Sequence, residues 1–142
     1  MDDLSALDRL LIQQACQQQI NRFAALNDAG DYRALADLFV EHGSFARPSQ
    51  PDTPIVGREA IFTAFCARPP RTSVHIVSNV LVEVLSATAA SAHSRILLFA
   101  APPGEIQAQS PLLIGSFSDQ LVLDAGHWRF ASRQGRIELR FD

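Results

Sequence analysis

Apolar residues recur at spacings of three and four between Ser5 and Ala29: Leu7, Leu11, Ala15, Cys16, Ile20, Phe23 and Ala24 share one face, and neither Pro nor Gly interrupts them. That spacing predicts a long amphipathic helix. Gly30 suits the position after its cap, because glycine takes the positive φ such a stop requires. Asp31 can then cap a second helix running through Phe39, with Leu35, Leu38 and Phe39 turned inward and Gly43 closing it. Ser44 to Arg47 reads as a short strand, and Pro48 to Pro54 as a loop, since its three prolines fix φ and remove hydrogen-bond donors. A third helix follows Gly57, from Arg58 to about Ala67, and stops before Pro69 and Pro70.

After Pro70 the period falls to two. Thr72 to Leu85, Thr88 to Ala100, Pro111 to Asp124 and His127 to Phe141 are rich in alternating or branched apolar residues, as strands are. The breaks at Ser86-Ala87 and Asp124-Ala125-Gly126 are short enough for hairpins, whereas Ala101 to Gln109 is a longer connection. Three helices followed by four long strands predict an α+β fold with an antiparallel sheet, and 142 residues suffice for one domain spanning 1–142. Strict alternation on the first long strand puts Ser73, His75, Val77 and Asn79 on one face and Val74, Ile76, Val80, Val82 and Val84 on the other. Three helices cover only one face of such a sheet. The valine-rich face therefore predicts a homo-oligomer, most simply a two-fold homodimer joined sheet to sheet, with a trimer as the other option. A bulge in this strand would break the alternation, turn the valines into core and put His75 on the outer face, against both the oligomer and a cavity role for His75.

Composition acts mainly by exclusion. Apolar residues make up 47% and charged residues 19%, ordinary for a globular chain. Fifteen acidic against twelve basic residues give a charge of -3, without the basic footprint that nucleic acid requires. All twelve basic residues are Arg, so Schiff-base chemistry and a P-loop lysine are excluded. Cys16 and Cys66 form no CxxC and suggest a reducing, cytoplasmic setting. The start MDDLSALDRLL is acidic where a signal peptide is basic, and apolar runs such as Ile96 to Ala101 are too short to span a bilayer, so no membrane partner is expected. Four scattered histidines, with no HxH or HxxxH pair, support no metal site.

The order ααβαββββ, with GDYRALADLF, GREAIFTAF, SVHIVSNVLVEV and GHWRFASR, resembles the SnoaL-like branch of the nuclear-transport-factor-2-like superfamily over nearly the whole chain. The resemblance implies a cone-shaped α+β barrel: three N-terminal helices packed on a strongly curved, mostly antiparallel sheet around an apolar cavity. It includes dehydratases, a dehydrochlorinase and ketosteroid isomerase, and also noncatalytic subunits, so fold alone does not decide function. Asp28 and His75 match the Asp and His dyad of the dehydratase and dehydrochlorinase group. A cavity histidine bonded to a carboxylate is held in one tautomer, with its other nitrogen free to accept a proton. Asp28 lies near a helix C-terminus, where the macrodipole opposes negative charge, so a basic partner or hydrogen bond has to compensate it.

Arg133 falls where the dehydrochlorinase carries a functional arginine, although alternation places it opposite Trp128 and Phe130, the pattern of an exposed residue. LLIGSF matches a pocket-lining strand, which offers Ile114 and Phe117 as substrate-binding residues, with His93 and Phe45 as further candidates. His42 and His127 border glycines in turns and read as solvated. Phe23 stands where the dehydrochlorinase has its lysine, and Asn27 where scytalone dehydratase has a tyrosine, so neither relative's substrate transfers to this chain. The resemblance thus implies a cofactor-independent lyase, by dehydratase-type elimination, or an isomerase, acting on a small hydrophobic cyclic molecule. The alternative is a noncatalytic binding or assembly subunit like the small subunits of ring-hydroxylating dioxygenases.

Overall fold

The computed structural model describes residues 3–142, so the first two positions of the expected domain lie outside the described residues. Helix α1 spans Ala6–Ala29; Ser5 and Asp8 form a reciprocal capping box at its start, and Gly30, at φ 74°, ends it. Its buried residues, Cys16, Gln19, Ile20, Phe23, Ala24 and Asn27, keep the three-and-four spacing. The expected inward face does not hold for the first turns, where Leu7 and Leu11 are exposed, because the helix first meets the core at Ile12 and is buried in it only from Cys16 onward. Asp31 caps α2, Tyr32–Ala36, by accepting from the Ala34 amide at 3.2 Å.

Helix α2 is shorter than its apolar spacing predicts. Strand β1, Phe39–Ala46, begins where the helix was expected to continue, and Gly43 lies inside that strand instead of closing a helix. Phe39 has Phe130 as its partner in a parallel pairing, and the Phe130 amide donates to the Leu38 carbonyl, so sheet hydrogen bonds outcompete another helical turn. A two-residue strand, β2 (Ile55–Val56), which the sequence did not announce, flanks β1. Helix α3 covers Arg58–Cys66, as expected.

Strands β3 (Thr72–Ser86), β4 (Ala89–Ala101), β5 (Gln109–Asp124) and β6 (His127–Phe141) follow their predicted spans within two residues. The sheet order is β2-β1-β6-β5-β4-β3, antiparallel except for β1 on β6. The sheet curls around the helices without closing, so β2 and β3 remain edges. Packed inside are Ile20 and Phe23 of α1, Leu35 of α2, Ile61 and Phe65 of α3, and the inner faces of the strands. Among the described residues no helix is long and apolar enough to cross a membrane.

Two bulges decide which residues face inward. On β3, Ser78 pairs with Arg95 and Leu81 with His93, so Asn79 and Val80 oppose one residue, and Asn79 takes φ 54°. The alternation reverses there. His75 and Val77 point inward before the bulge, and Val80, Val82 and Val84 point inward after it, packed on the core. The single valine-rich outer face expected from the sequence is therefore wrong: only Val74 and Ile76 of that set stay outside. The outer apolar row instead crosses four strands through the paired residues Ile76, Leu97, Ile114 and Leu139. The valine-rich face from which a homodimer was expected is thereby lost, and with it the ground for that expectation.

On β6 the second bulge falls at Ala131, between the pairs Leu121 with Phe130 and Gln120 with Ser132. It puts Phe130 and Arg133 on the same, inner face, and Arg133 is 1% exposed, not the surface residue that alternation allowed.

The Asn79 bulge can be tested on its own, because the residue is exposed and its left-handed backbone favours Asn or Gly. Asn79→Val is expected to destabilise the protein by about 1 to 2 kcal/mol in urea unfolding, and Asn79→Gly by only a few tenths.

Candidate active site

A cavity of about 430 Å³ lies between α1, α3 and the inner face of the sheet. Its wall contains Phe23, Phe45, Phe65 and Phe117, and the aliphatic side chains of Val77, Ile96, Leu98, Leu113 and Ile137. Phe23 sits at the centre of the aromatic cluster, 5.4 Å from Phe45 and 5.9 Å from Phe117 between ring centroids. An apolar pocket of this size with a few convergent polar groups has the build of a small-molecule site.

Asp28, in the last turn of α1, faces the edge strand β3. Its carboxylate accepts from the His75 amide at 2.8 Å, from the Ser73 hydroxyl at 2.9 Å, and meets His75 Nδ1 at 2.5 Å. Because β3 is an edge, the His75 N–H has no strand partner on that side, and the carboxylate takes that role. Three donors also offset the unfavourable end of the helix dipole. The network assigns the proton of a neutral ring to Nδ1, which leaves Nε2 with no protein partner on a side chain that lines the cavity. Burial pushes the His75 pKa below its ordinary 6.5; the Asp28 hydrogen bond and charge oppose this, and Arg71 and Arg68 add to it. At neutral pH the ring is uncharged and basic.

Arg133 lies across the cavity. Its guanidinium carbon stands 3.9 Å from the Phe117 ring centroid, 4.4 Å from that of Phe23 and 4.8 Å from that of Phe130. Its cross-strand neighbour Asp119 is equally buried, with Oδ1 3.6 Å from Arg133 Nε, an ion pair without a hydrogen bond. Among the described residues, Arg133 Nε and Nη1 and both Asp119 oxygens have no hydrogen-bond partner. Burial pushes Asp119 up to about 6 against the pull of Arg133, and pushes Arg133 down from its ordinary value. Burial, with Asp119 adding to it, raises Cys16 to about 12, so that thiol is no nucleophile at neutral pH.

Of the residues singled out in the sequence, the structure brings His75, Arg133, Phe45 and Phe117 to the cavity wall, with Asp28 directly behind His75. Ile114 and His93 are not there. Antiparallel partners share a face, so Ile114, opposite Leu97, and His93, opposite Leu81, lie on the outer side of the sheet. Ile114 and Phe117 are three apart on a strand with no bulge between them on the β4 side, so they cannot both point inward; Leu113 and Gly115 take the place expected of Ile114. His42 and His127 are exposed, as expected. Among the described residues no group of three His, Cys, Asp or Glu side chains could hold a metal ion.

The sequence reading overlooked Arg47, Arg68 and Arg71, which line the cavity mouth. A signal was available: Arg47-Pro48 and Arg68-Pro69 are both Arg-Pro pairs, and proline forces the preceding arginine out of helical geometry at the end of an element. Pro48 crosses β6 at Gly135, where a Cβ would come within 2.7 Å of the proline ring, so only glycine allows the mouth loop to lie there.

Residues 8–134 match the family model of the SnoaL-like domain. Among solved structures, a provisionally assigned scytalone dehydratase from Novosphingobium aromaticivorans DSM 12444 is 24% identical, with a TM-score of 0.84 over 97% of this chain and 91% of that one. A type 2 hexachlorocyclohexane dehydrochlorinase is 18% identical, with a TM-score of 0.82 over 96% of this chain and 91% of that one. A nuclear-transport-factor-2-like protein with a cystatin-like fold, also from Novosphingobium aromaticivorans, is 24% identical, with a TM-score of 0.73 over 96% and 91% of the two chains. At these identities the likeness is one of fold. No curated protein matches the chain.

The buried ion pair yields a stability test. Asp119→Ala leaves Arg133 charged and uncompensated in the core, and is expected to cost about 3 to 5 kcal/mol in urea unfolding. The double variant Asp119→Leu with Arg133→Met is expected to recover most of that loss, because it removes both charges at similar volume.

Proposed function

The chain belongs to the SnoaL-like domain family, and from that premise we propose that it is a lyase or isomerase in which His75 removes a proton from a carbon acid in the cavity. The 2.5 Å contact between His75 Nδ1 and Asp28 carries this reading, because it leaves Nε2 as the free, cavity-facing base. In the proposed reaction Nε2 takes a proton from a carbon next to an electron-withdrawing group, and the C–H electron pair becomes the new double bond. In an elimination the leaving group departs with its own pair; in an isomerisation the imidazolium returns the proton to another carbon. Asp28 stabilises the imidazolium formed in between. Arg133, held among phenyl rings with unused donors, is proposed to face the oxygen that gathers negative charge. The substrate class proposed is a small cyclic molecule with an apolar body, in keeping with the cavity wall and with a fold shared with a dehydrochlorinase.

Once a substrate is found by screening hydroxylated or halogenated cyclic compounds, His75→Ala is expected to lower kcat by about 10² to 10⁴-fold, the usual contribution of a positioned base. Asp28→Asn should lose activity by orders of magnitude while still refolding, since it keeps the shape and removes the charge. Unchanged activity in both variants would place the chemistry elsewhere.

The pH profile follows from the direction of the His75 shift. The base works only when neutral, so kcat/KM should rise with pH through a midpoint below 6.5 and level off above it. Stability carries the same sign: the unfolded chain binds the proton more tightly, so the His75 contribution is present above 6.5 and lost as pH falls through the folded value.

A further inference from the structure

Resting on the reading of the cavity as a substrate site, we propose that its mouth recognises a carboxylate carried on the apolar body of the substrate, held by Arg47, Arg68 and Arg71 beside His75. The three guanidinium groups come from two segments. Arg47 ends β1, and Arg68 and Arg71 lie in the connection from α3 to β3; all three line the cavity. No Asp or Glu lines it with them. Among the described residues none of the three forms an ion pair, in a chain with fifteen acidic residues. The one carboxylate among the described residues whose charge reaches the cluster, Asp28 acting on Arg71, is already bonded to His75 and Ser73, so the three like charges still repel one another and a bound anion relieves that repulsion. Burial and the charge of Arg68 lower the pKa values of both Arg47 and Arg71, with Tyr32 and Asp28 opposing the shift at Arg71.

Two of the three, Arg47 and Arg68, are also preorganised. Arg47 Nη2 donates to the Ala64 carbonyl at 2.9 Å, and Arg68 Nη2 donates to Asn27 Oδ1 at 2.7 Å. Their guanidinium carbons stand 5.8 and 4.6 Å from the Phe65 ring centroid. Each guanidinium has five N–H donors, and these bonds use few of them; Arg47 Nε is buried with no hydrogen-bond partner among the described residues. A planar guanidinium fork pairs bidentately with a carboxylate, and a monoanionic carboxylate is the acidic group most readily carried on an apolar body. Beyond the mouth the wall is apolar, so the same molecule must present an uncharged body to Val77, Leu98 and Phe117. Arg68 and Arg71 are among the groups that hold the His75 pKa down, so a carboxylate neutralising them makes the ring a stronger base as substrate binds.

Calorimetric titration with naphthoate and with its uncharged isostere naphthamide tests the proposal. At low salt the wild type is expected to bind naphthoate tighter by about tenfold or more, the ratio that one charge-assisted hydrogen bond yields, and salt should erode the difference. Arg71→Gln and Arg47→Gln should each bring naphthoate towards the amide's affinity, weakening naphthoate much more than the amide. Among the described residues the Arg71 side chain makes no hydrogen bond, so its variant should fold as the wild type does. Equal affinity of the two compounds for the wild type overturns the proposal, as does naphthoate affinity that survives both substitutions. The base reading fails separately: a naphthoate preference in a protein whose turnover ignores His75 sinks the base alone. Turnover of neutral substrates that depends on His75, with no naphthoate preference, sinks the carboxylate alone.

Discussion

One carboxylate joins the helical layer to the free edge of the sheet. Asp28 stands at the C-terminal end of α1, where its charge is least welcome, and takes three hydrogen bonds from Ser73 and His75 of β3. Those bonds fix the position of the edge strand against the helix, replace a strand partner that the His75 amide lacks, and set the plane and tautomer of the imidazole. The cavity lies between the two elements so joined. An Asp at this position is tolerable because of its partners on β3, and the orientation of His75 is a by-product of the same bonds.

The charge layout continues from that point. The cavity has cationic groups at its mouth and at its inner wall, and two carboxylates paired with its lining residues are withdrawn behind a partner, Asp28 behind His75 and Asp119 beside Arg133. A site arranged this way favours negative charge developing on a bound molecule while keeping a neutral base within it. The ring of phenylalanines excludes water and lowers the local dielectric, which strengthens each of these interactions.

Most of the fold was legible because periodicity reports burial. The long strands and the bounds of α1 and α3 followed from spacing, glycine and proline alone. Helix α2 failed because Leu35, Leu38 and Phe39 satisfy helical spacing while Phe39 answers to a parallel partner 91 positions later in the chain, a contact invisible to local pattern. The dyad was legible through family resemblance, and its geometry through nothing in the sequence. The facing of Val80, of Ile114 and of Arg133 depended on where bulges fall and on strand parity; Asn79 hinted at one bulge, and Ala131 gave no hint of the other. The mouth arginines escaped notice because each looks like a surface residue until the two Arg-Pro segments are brought to the same opening.

The central claim is that His75 rests neutral, protonated on Nδ1 towards Asp28, with Nε2 open to the cavity. Heteronuclear NMR of the imidazole nitrogens at neutral pH, assigned by comparison with His75→Gln, observes that state directly. A single fixed tautomer with a protonated Nδ1 and a bare Nε2, lost in Asp28→Asn, is the predicted result. A ring protonated on Nε2, or an imidazolium at neutral pH, would contradict it.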